Sequence, residues 1–257
     1  MPLSTAVGGL LAGIETAYNN AVENGAKEDN SNGTQESLGA DMGEAIDQYY
    51  SQALVTTKVT VKAGQTDSAL GATTAEGTGS GTGSLSGLDA TSLKDSLYNA
   101  FKDAAETGST KDPIPQLSED VGNAVHVYMV SGVVTTAVTV DGGQPTAGLA
   151  PSSIVPAPYP GSTFTGKVRF ESGDVTTLKS DIETAYNNAK KNGETGASLE
   201  ALADEIHTAI DKFALTAIVE TDGEVIGGQT VIPYATPAGP IFAVTNPGSG
   251  TGEGELS

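Results

Sequence analysis

One eight-residue string occurs twice in this chain. IETAYNNA runs from Ile14 to Ala21 and again from Ile182 to Ala189, and an exact recurrence of that length points to an internally repeated architecture. LYNAFKDA, from Leu97 to Ala104, fits the same frame. It sets Ile14, Leu97 and Ile182 at one position, and Tyr18, Phe101 and Tyr186 at another. Apolar residues in this segment follow helical spacing, as at Leu93, Leu97, Ala100 and Ala104, so each copy predicts an amphipathic helix. Ser92 with Asp95 predicts a capping box at the start of the middle one.

A second helical stripe follows a polar loop in every copy: Leu38, Met42, Ile46, Tyr49; then Leu117, Val121, Val125, Tyr128; then Leu202, Ile206, Ile210, Phe213. Two narrow apolar stripes joined by a short loop predict an antiparallel helical pair. The repeated core positions are therefore Ile14, Tyr18, Ile46 and Tyr49; Leu97, Phe101, Val125 and Tyr128; and Ile182, Tyr186, Ile210 and Phe213. Tyr50 stands beside Tyr49 off the stripe, and is expected at the surface.

β-Branched runs come next, at Val55–Val61, Val133–Val140 and Ala217–Ile226. Each predicts a strand. Each leads into a Gly-Gln pair, Gly64 and Gln65, Gly143 and Gln144, or Gly228 and Gln229, where a turn with a glycine is expected. Beyond lie Gly-, Pro-, Ser- and Thr-rich tracts, closing on GSLS, GKVRF and GEGELS. These read as weak second strands or extended arms. The predicted fold is α+β: three tandem repeats of a small helix–helix–strand module with Gly/Pro-rich extended arms, at residues 1–87, 88–172 and 173–257.

Apolar residues make up 37% of the chain and aromatics 5%, with 33 glycines and no tryptophan. Cores this small need neighbouring modules or other chains to cover them. Each module holds too few strands for a complete sheet, so pairing at exposed strand edges with other subunits is expected. The formal charge of −20 argues against nucleic acid, whose binders carry basic stripes, and against anionic membranes. No run reaches the length of a membrane span. The N-terminal apolar run has no basic residue ahead of it, so no secretory signal is expected.

Chemistry-bearing patterns are sparse. GTGSGTG, Gly77–Gly83, lacks the Lys and the strand-to-helix setting of a phosphate loop, and reads as a linker or arm. His126 aligns with Asp211, and His207 with Gly122, so the two histidines do not share a repeated site. The paired acids at Glu119 and Asp120, Asp204 and Glu205, and Asp222 and Glu224 lack EF-hand spacing. No cysteine is present, which excludes disulfides and thiolate ligation. No catalytic residue, metal ligand or cofactor is assigned. The residues expected to meet a partner are Tyr50, Pro156, Tyr159 and Tyr234, three of them in the variable tracts.

The helices LKSDIETAYNNA and LADEIHTAIDKF, the valine-rich strand ending in a glycine-glutamine pair, and the tail GTGEGELS together resemble virion structural proteins of tailed bacteriophages. The resemblance covers all three modules and implies a particle component: a capsid decoration, connector, tail or baseplate protein. It implies a non-enzymatic role, partners among other virion proteins or copies of the chain itself, and synthesis in a host cytoplasm. A multi-module binding protein, an adhesin or carbohydrate-binding array, is the alternative.

Overall fold

The computed structural model describes residues 3–27, 31–62, 76–108, 111–141, 159–193, 196–225, 229–236, 239–244 and 248–256. Two helices, α1 (Leu3–Lys27) and α2 (Ser31–Tyr50), precede strands β1 (Leu54–Lys62) and β2 (Glu76–Ser86). The same order follows in α3 (Ala90–Thr107), α4 (Ile114–Ser131), β3 (Val133–Asp141) and β4 (Tyr159–Arg169). It returns in α5 (Ser172–Asn192), α6 (Gly196–Ala214) and β5 (Ile218–Val225), after which β6 (Gln229–Thr236) and β7 (Gly239–Val244) intervene before β8 (Gly248–Leu256). Secondary structure is thus α+β, as expected.

Six strands close into an antiparallel barrel in the order β1-β2-β3-β4-β5-β8, with β8 paired back onto β1. The segments expected to be arms are β2, β4 and β8, and GTGSGTG lies within β2. The expectation of free strand edges fails for the same reason. Every barrel strand is paired on both sides within the chain, and closure removes edges. Only β6 and β7 form a separate two-stranded sheet. That hairpin had no counterpart in the sequence reading.

Following cross-strand partners around the barrel, Leu54, Ser84, Thr135, Thr165, Asp222 and Thr251 lead back to β1 at Thr60, six residues past the start. Six strands with that stagger enclose a narrow interior. Glycine is needed there. A Cβ on Gly83, Gly166 or Gly254 would meet the Cγ2 of Thr136, Thr221 or Thr57 at 2.6 to 2.7 Å, and a backbone oxygen closer still. The alternation of glycine in GTGSGTG and GSGTGEG is therefore an inward face of period two, which explains strands of such low β-propensity.

The six helices pack in a ring whose last neighbours, α6 and α1, also touch. One hydrophobic core joins helices from the whole chain to the near end of the barrel, where Val55, Val134 and Val219 meet Leu85, Val168 and Leu256. The three helix–helix–strand–strand groups, α1 to β2, α3 to β4 and α5 to β8, are thus thirds of one closed body, each contributing two helices and two barrel strands. All twelve repeated core positions are buried. Tyr50 is buried as well, with no exposed surface. Beside Tyr49 of its own helix it meets Tyr128 and Ile210 from the other two thirds, which the stripe of its own helix could not reveal.

Local signals set the helix ends. Asp89 caps α3, accepting from the Ser92 N–H at 3.0 Å and the Ser92 hydroxyl at 2.7 Å, in place of the expected box led by Ser92. Glu171 and Asp174 make a reciprocal box at α5. Lys190 and Lys191 fall in its last turn, where cations oppose the helix dipole.

Candidate functional site

The features that recur around the ring lie where one third meets the next, at three seams. The aromatic at the C-terminal end of each second helix reaches into the preceding third. The Tyr128 hydroxyl donates to Asp47 and the Tyr49 hydroxyl donates to Asp211. At the equivalent place Phe213 faces His126, with ring centroids 6.3 Å apart, and stacks on Phe170 at 4.0 Å. Asp47, His126 and Asp211 thus occupy one position in the alignment and receive one kind of neighbour. Two make a hydrogen bond and the third an aromatic contact.

Tyr50 adds to the closing seam between the last third and the first. Its ring packs against Tyr49 and Tyr128, and its hydroxyl donates to the Ile210 carbonyl at 3.4 Å. Further along, the hydroxyls of Tyr18 and Tyr186 meet at 2.9 Å. The matching residue in the middle third is Phe101, buried and without a hydroxyl.

Their surroundings hold these tyrosines in the neutral form. Burial, then the hydrogen bond to Asp211, pushes Tyr49 far above the usual phenol range, and burial followed by Asp47 does the same to Tyr128. Burial raises Tyr50 and Tyr18 likewise, and pushes Tyr186 up to about 12. Tyr49, Tyr50 and Tyr128 remain neutral donors, and of Tyr18 and Tyr186 one donates to the other. His126 is held below the usual imidazole range by burial first and by Lys179 second. An uncharged imidazole against two phenyl rings is a packing element.

On the ring's outside, Lys94 pairs with Glu44 across α2 and α3, and Lys179 with Glu119 across α4 and α5 at 3.4 Å. A Cβ on Gly43 or Gly122 would fall 2.6 Å from the Cγ of Lys94 or Lys179, so each glycine makes the notch in which the lysine stem lies. The seam between α6 and α1 has Leu11 and His207 at these positions. The His207 Nδ1 is buried with no hydrogen-bond partner among the described residues, and Asp204 lies 3.6 Å from it.

The barrel interior carries the third recurrence. Thr57, Thr136 and Thr221 are fully or almost fully buried in one layer. Thr57 lies between Gly81 and Gly254, and Thr221 between Gly166 and Gly252. Thr136 instead lies between Gly83 and Phe164. Phe164 stands where the other thirds have Gly81 and Gly252, and directly opposite it Gly223 replaces Val59 and Val138. The exchange is compensated in volume, since a Cβ on Gly223 would sit 2.7 Å from the Phe164 ring. The hydroxyls of Thr57 and Thr221 lean on the Gly81 and Gly252 carbonyls at 3.5 and 3.4 Å, whereas that of Thr136 has no partner among the described residues.

Within the helical pairs, the Asn20 amide donates to Asp41 at 2.9 Å and the Asn188 amide to Glu205 at 3.0 Å. In the middle pair these positions are Asp103 and Asp120, which line one groove with Asn99 and Asn123. Among the described residues no cluster of three or more metal-ligating side chains occurs, and no helix is long and apolar enough to cross a membrane.

Of the strand-end residues, Gly64, Gln65, Gly143, Gln144 and Gly228 lie outside the described residues, as does Pro156. Gln229 opens β6, opposite Val244. Tyr159 opens β4, paired with Val140 beyond an irregularity, and Tyr234 falls within the irregular stretch of β6 between Ile232 and Ala235. The sequence reading missed the seam acids Asp47 and Asp211, the lysine notches and the threonine layer. The period-two glycines were the available signal for the last.

No family model matches the chain, and neither a curated protein nor a solved structure matches it.

Proposed function

We propose that this chain is a non-enzymatic structural protein of a phage particle, made of three copies of one helix–helix–strand–strand module and assembling with other virion proteins or with copies of itself. The observation that carries the reading is ring closure within one chain: β8 pairs with β1 and α6 packs on α1. Such a body presents three similar faces about one axis, a footprint suited to a site of threefold or near-threefold symmetry in an assembled shell or tail.

The filled interior narrows the role. Val59, Val138, Phe164 and the three threonines are buried inside the barrel, so the ring offers no passage for DNA. A decoration or plug fits this better than a conducting connector. Closure also removes strand addition by the six barrel strands as the means of assembly, leaving the outer faces and the variable tracts. Imaging of purified particles by cryo-electron microscopy tests the reading. Density for the ring at a symmetry-related site is expected, and particles that lack the chain would sink it.

A binding protein is the second reading, favoured by one observation. A groove of about 760 Å³ on the barrel exterior is lined by Thr56, Lys58, Thr60, Thr251, Glu253 and Arg169, among others. Hydroxyls, carboxylates and cations together suit a polyhydroxylated ligand. Retention on a glycan panel, lost in Glu253→Gln, would favour it over the particle role.

A further inference from the structure

We propose that the groove at the distal end of the seam between the second and third thirds binds a small amphiphile, one carboxylate carried on an apolar tail. The groove encloses about 740 Å³ where the link from α3 to α4 meets the end of α5 and the start of α6. Each α3-type helix leaves the barrel and each α4-type helix returns to it, so this site is at the opposite end of the helical ring from the groove on the barrel exterior. Its volume falls in the range of small-molecule pockets.

Pro113, Ile114, Leu199 and Leu202 give the groove an apolar lining, and Lys111 and Lys190 stand beside them. Ile114 and Leu202 belong to the helical core, and Leu199 packs against it. The lining is thus held by the fold. Asp112 is the acid in the groove, and both of its oxygens already hold donors: one accepts from the Ile114 N–H at 3.3 Å, the other from the Lys190 ammonium at 3.1 Å. Lys190 keeps two further N–H groups, and Lys111 makes no ion pair among the described residues.

Charge complementarity selects the occupant. On a chain of net charge −20, this groove departs from three others. The barrel groove sets Lys58 and Arg169 against Glu253 and Glu255. The one on α3 and α4 holds Asp103 and Asp120 without a cation, and the one on α5 and α6 sets Lys212 against Asp174 and Asp181. Only the distal groove of these four has more cations than acids, and its floor is apolar. It therefore attracts a carboxylate whose tail the floor can cover. A large acidic partner would meet the rest of the acidic surface as well. A single small anion is screened from all but its immediate neighbours within about 10 Å at 0.1 M salt.

Dodecanoate below its micelle concentration, titrated calorimetrically into the full chain, is the probe. Saturable binding of one ligand per chain is expected, roughly tenfold weaker for decanoate, which buries two fewer methylenes. Dodecyltrimethylammonium, with the same tail and the opposite charge, should not displace it. Lys111→Gln and Lys190→Gln should each weaken binding about fivefold, the upper end for an exposed ion pair, whereas Lys58→Gln in the barrel groove should leave it unchanged. Lys111 is exposed, so its variant should unfold at the original temperature. Failure to saturate, displacement by the cationic amphiphile, or undiminished affinity in both lysine variants would overturn the proposal. So would a dimer by light scattering with no uptake of dodecanoate, which would give the groove to a second copy. None of these results bears on whether the chain is found in particles, so the two readings fail separately.

Discussion

The closing seam and the two seams crossed by the chain do the same job by different means. Where the chain runs on from one third to the next, the outer contact is an exposed lysine–carboxylate pair, Lys94 with Glu44 or Lys179 with Glu119. Where the last third meets the first, no such pair occurs among the described residues, and the hydroxyls of Tyr18 and Tyr50 add to a tyrosine–aspartate bond, Tyr49 with Asp211, of the kind the first seam also has in Tyr128 with Asp47. Surface pairs contribute little net stability and are screened by salt. Buried hydrogen bonds are insensitive to salt and costly to break one-sidedly. A seam without a covalent connection to hold its partners at high effective concentration relies on the second kind.

The largest effect expected concerns the odd seam of the barrel. Phe164→Gly should cost about 3–5 kcal/mol from the cavity left, and Gly223→Val should fail to fold or lose a comparable amount against the Phe164 ring. The double substitution recreates the arrangement of the other two thirds, so it should recover at least about 2 kcal/mol of the summed losses in urea denaturation. Strict additivity would show that the two positions are not a compensated pair.

Next comes the closing seam. Tyr49→Phe leaves the Asp211 carboxylate short of its donor and should cost about 1–3 kcal/mol. Tyr128→Phe, the matching change at the seam of the first and second thirds, should cost a similar amount. Loss of the closing hydroxyls should also speed unfolding more, if closure is the last step of folding. Equal unfolding rates in stopped-flow measurements would weaken the contrast.

In the middle helical pair, Asp103→Asn recreates the clasp made by Asn20 and Asn188, and an increase of about 0.5–1.5 kcal/mol is expected by thermal unfolding. An unchanged or lower melting temperature would mean that the groove is shaped otherwise.

His126 gives a pH test of its seam. Its folded-state pKa is lowered, so the unfolded chain takes up the proton first. Its contribution is then complete above the unfolded value of about 6.5 and declines as pH falls below it toward the folded value. His126→Gln should flatten that limb of the stability profile. Persistence of the same slope would assign it to other groups.

The smallest effect is expected from the outer pairs. Lys94→Ala and Lys179→Ala should each cost less than about 1 kcal/mol, and the deficit should shrink in high salt. For Tyr49→Phe it should not. A salt-independent loss at Lys94 would point to its stem in the Gly43 notch as the contributor.

The helical stripes were legible because each helix buries one face at a fixed period, whatever it packs against. Ile14, Leu97 and Ile182 had to face inward, and so did Val55, Val134 and Val219 on their strands. The glycine tracts were legible only in part. Their period of two was visible, yet glycine carries no side chain to show which face is inside, and the alternation acquires meaning only in a barrel narrow enough that Gly83 must lie against Thr136.

What depended on the tertiary structure was closure. Three similar units read from a sequence are compatible with a row or a ring, because local patterns do not record whether the last unit returns to the first. The pairing of β8 with β1 decides it, and with it the burial of Tyr50, the partners of Asp47 and Asp211, and the loss of free barrel edges. Each of these contacts joins residues from different thirds, and periodicity within one helix or strand carries no information about them.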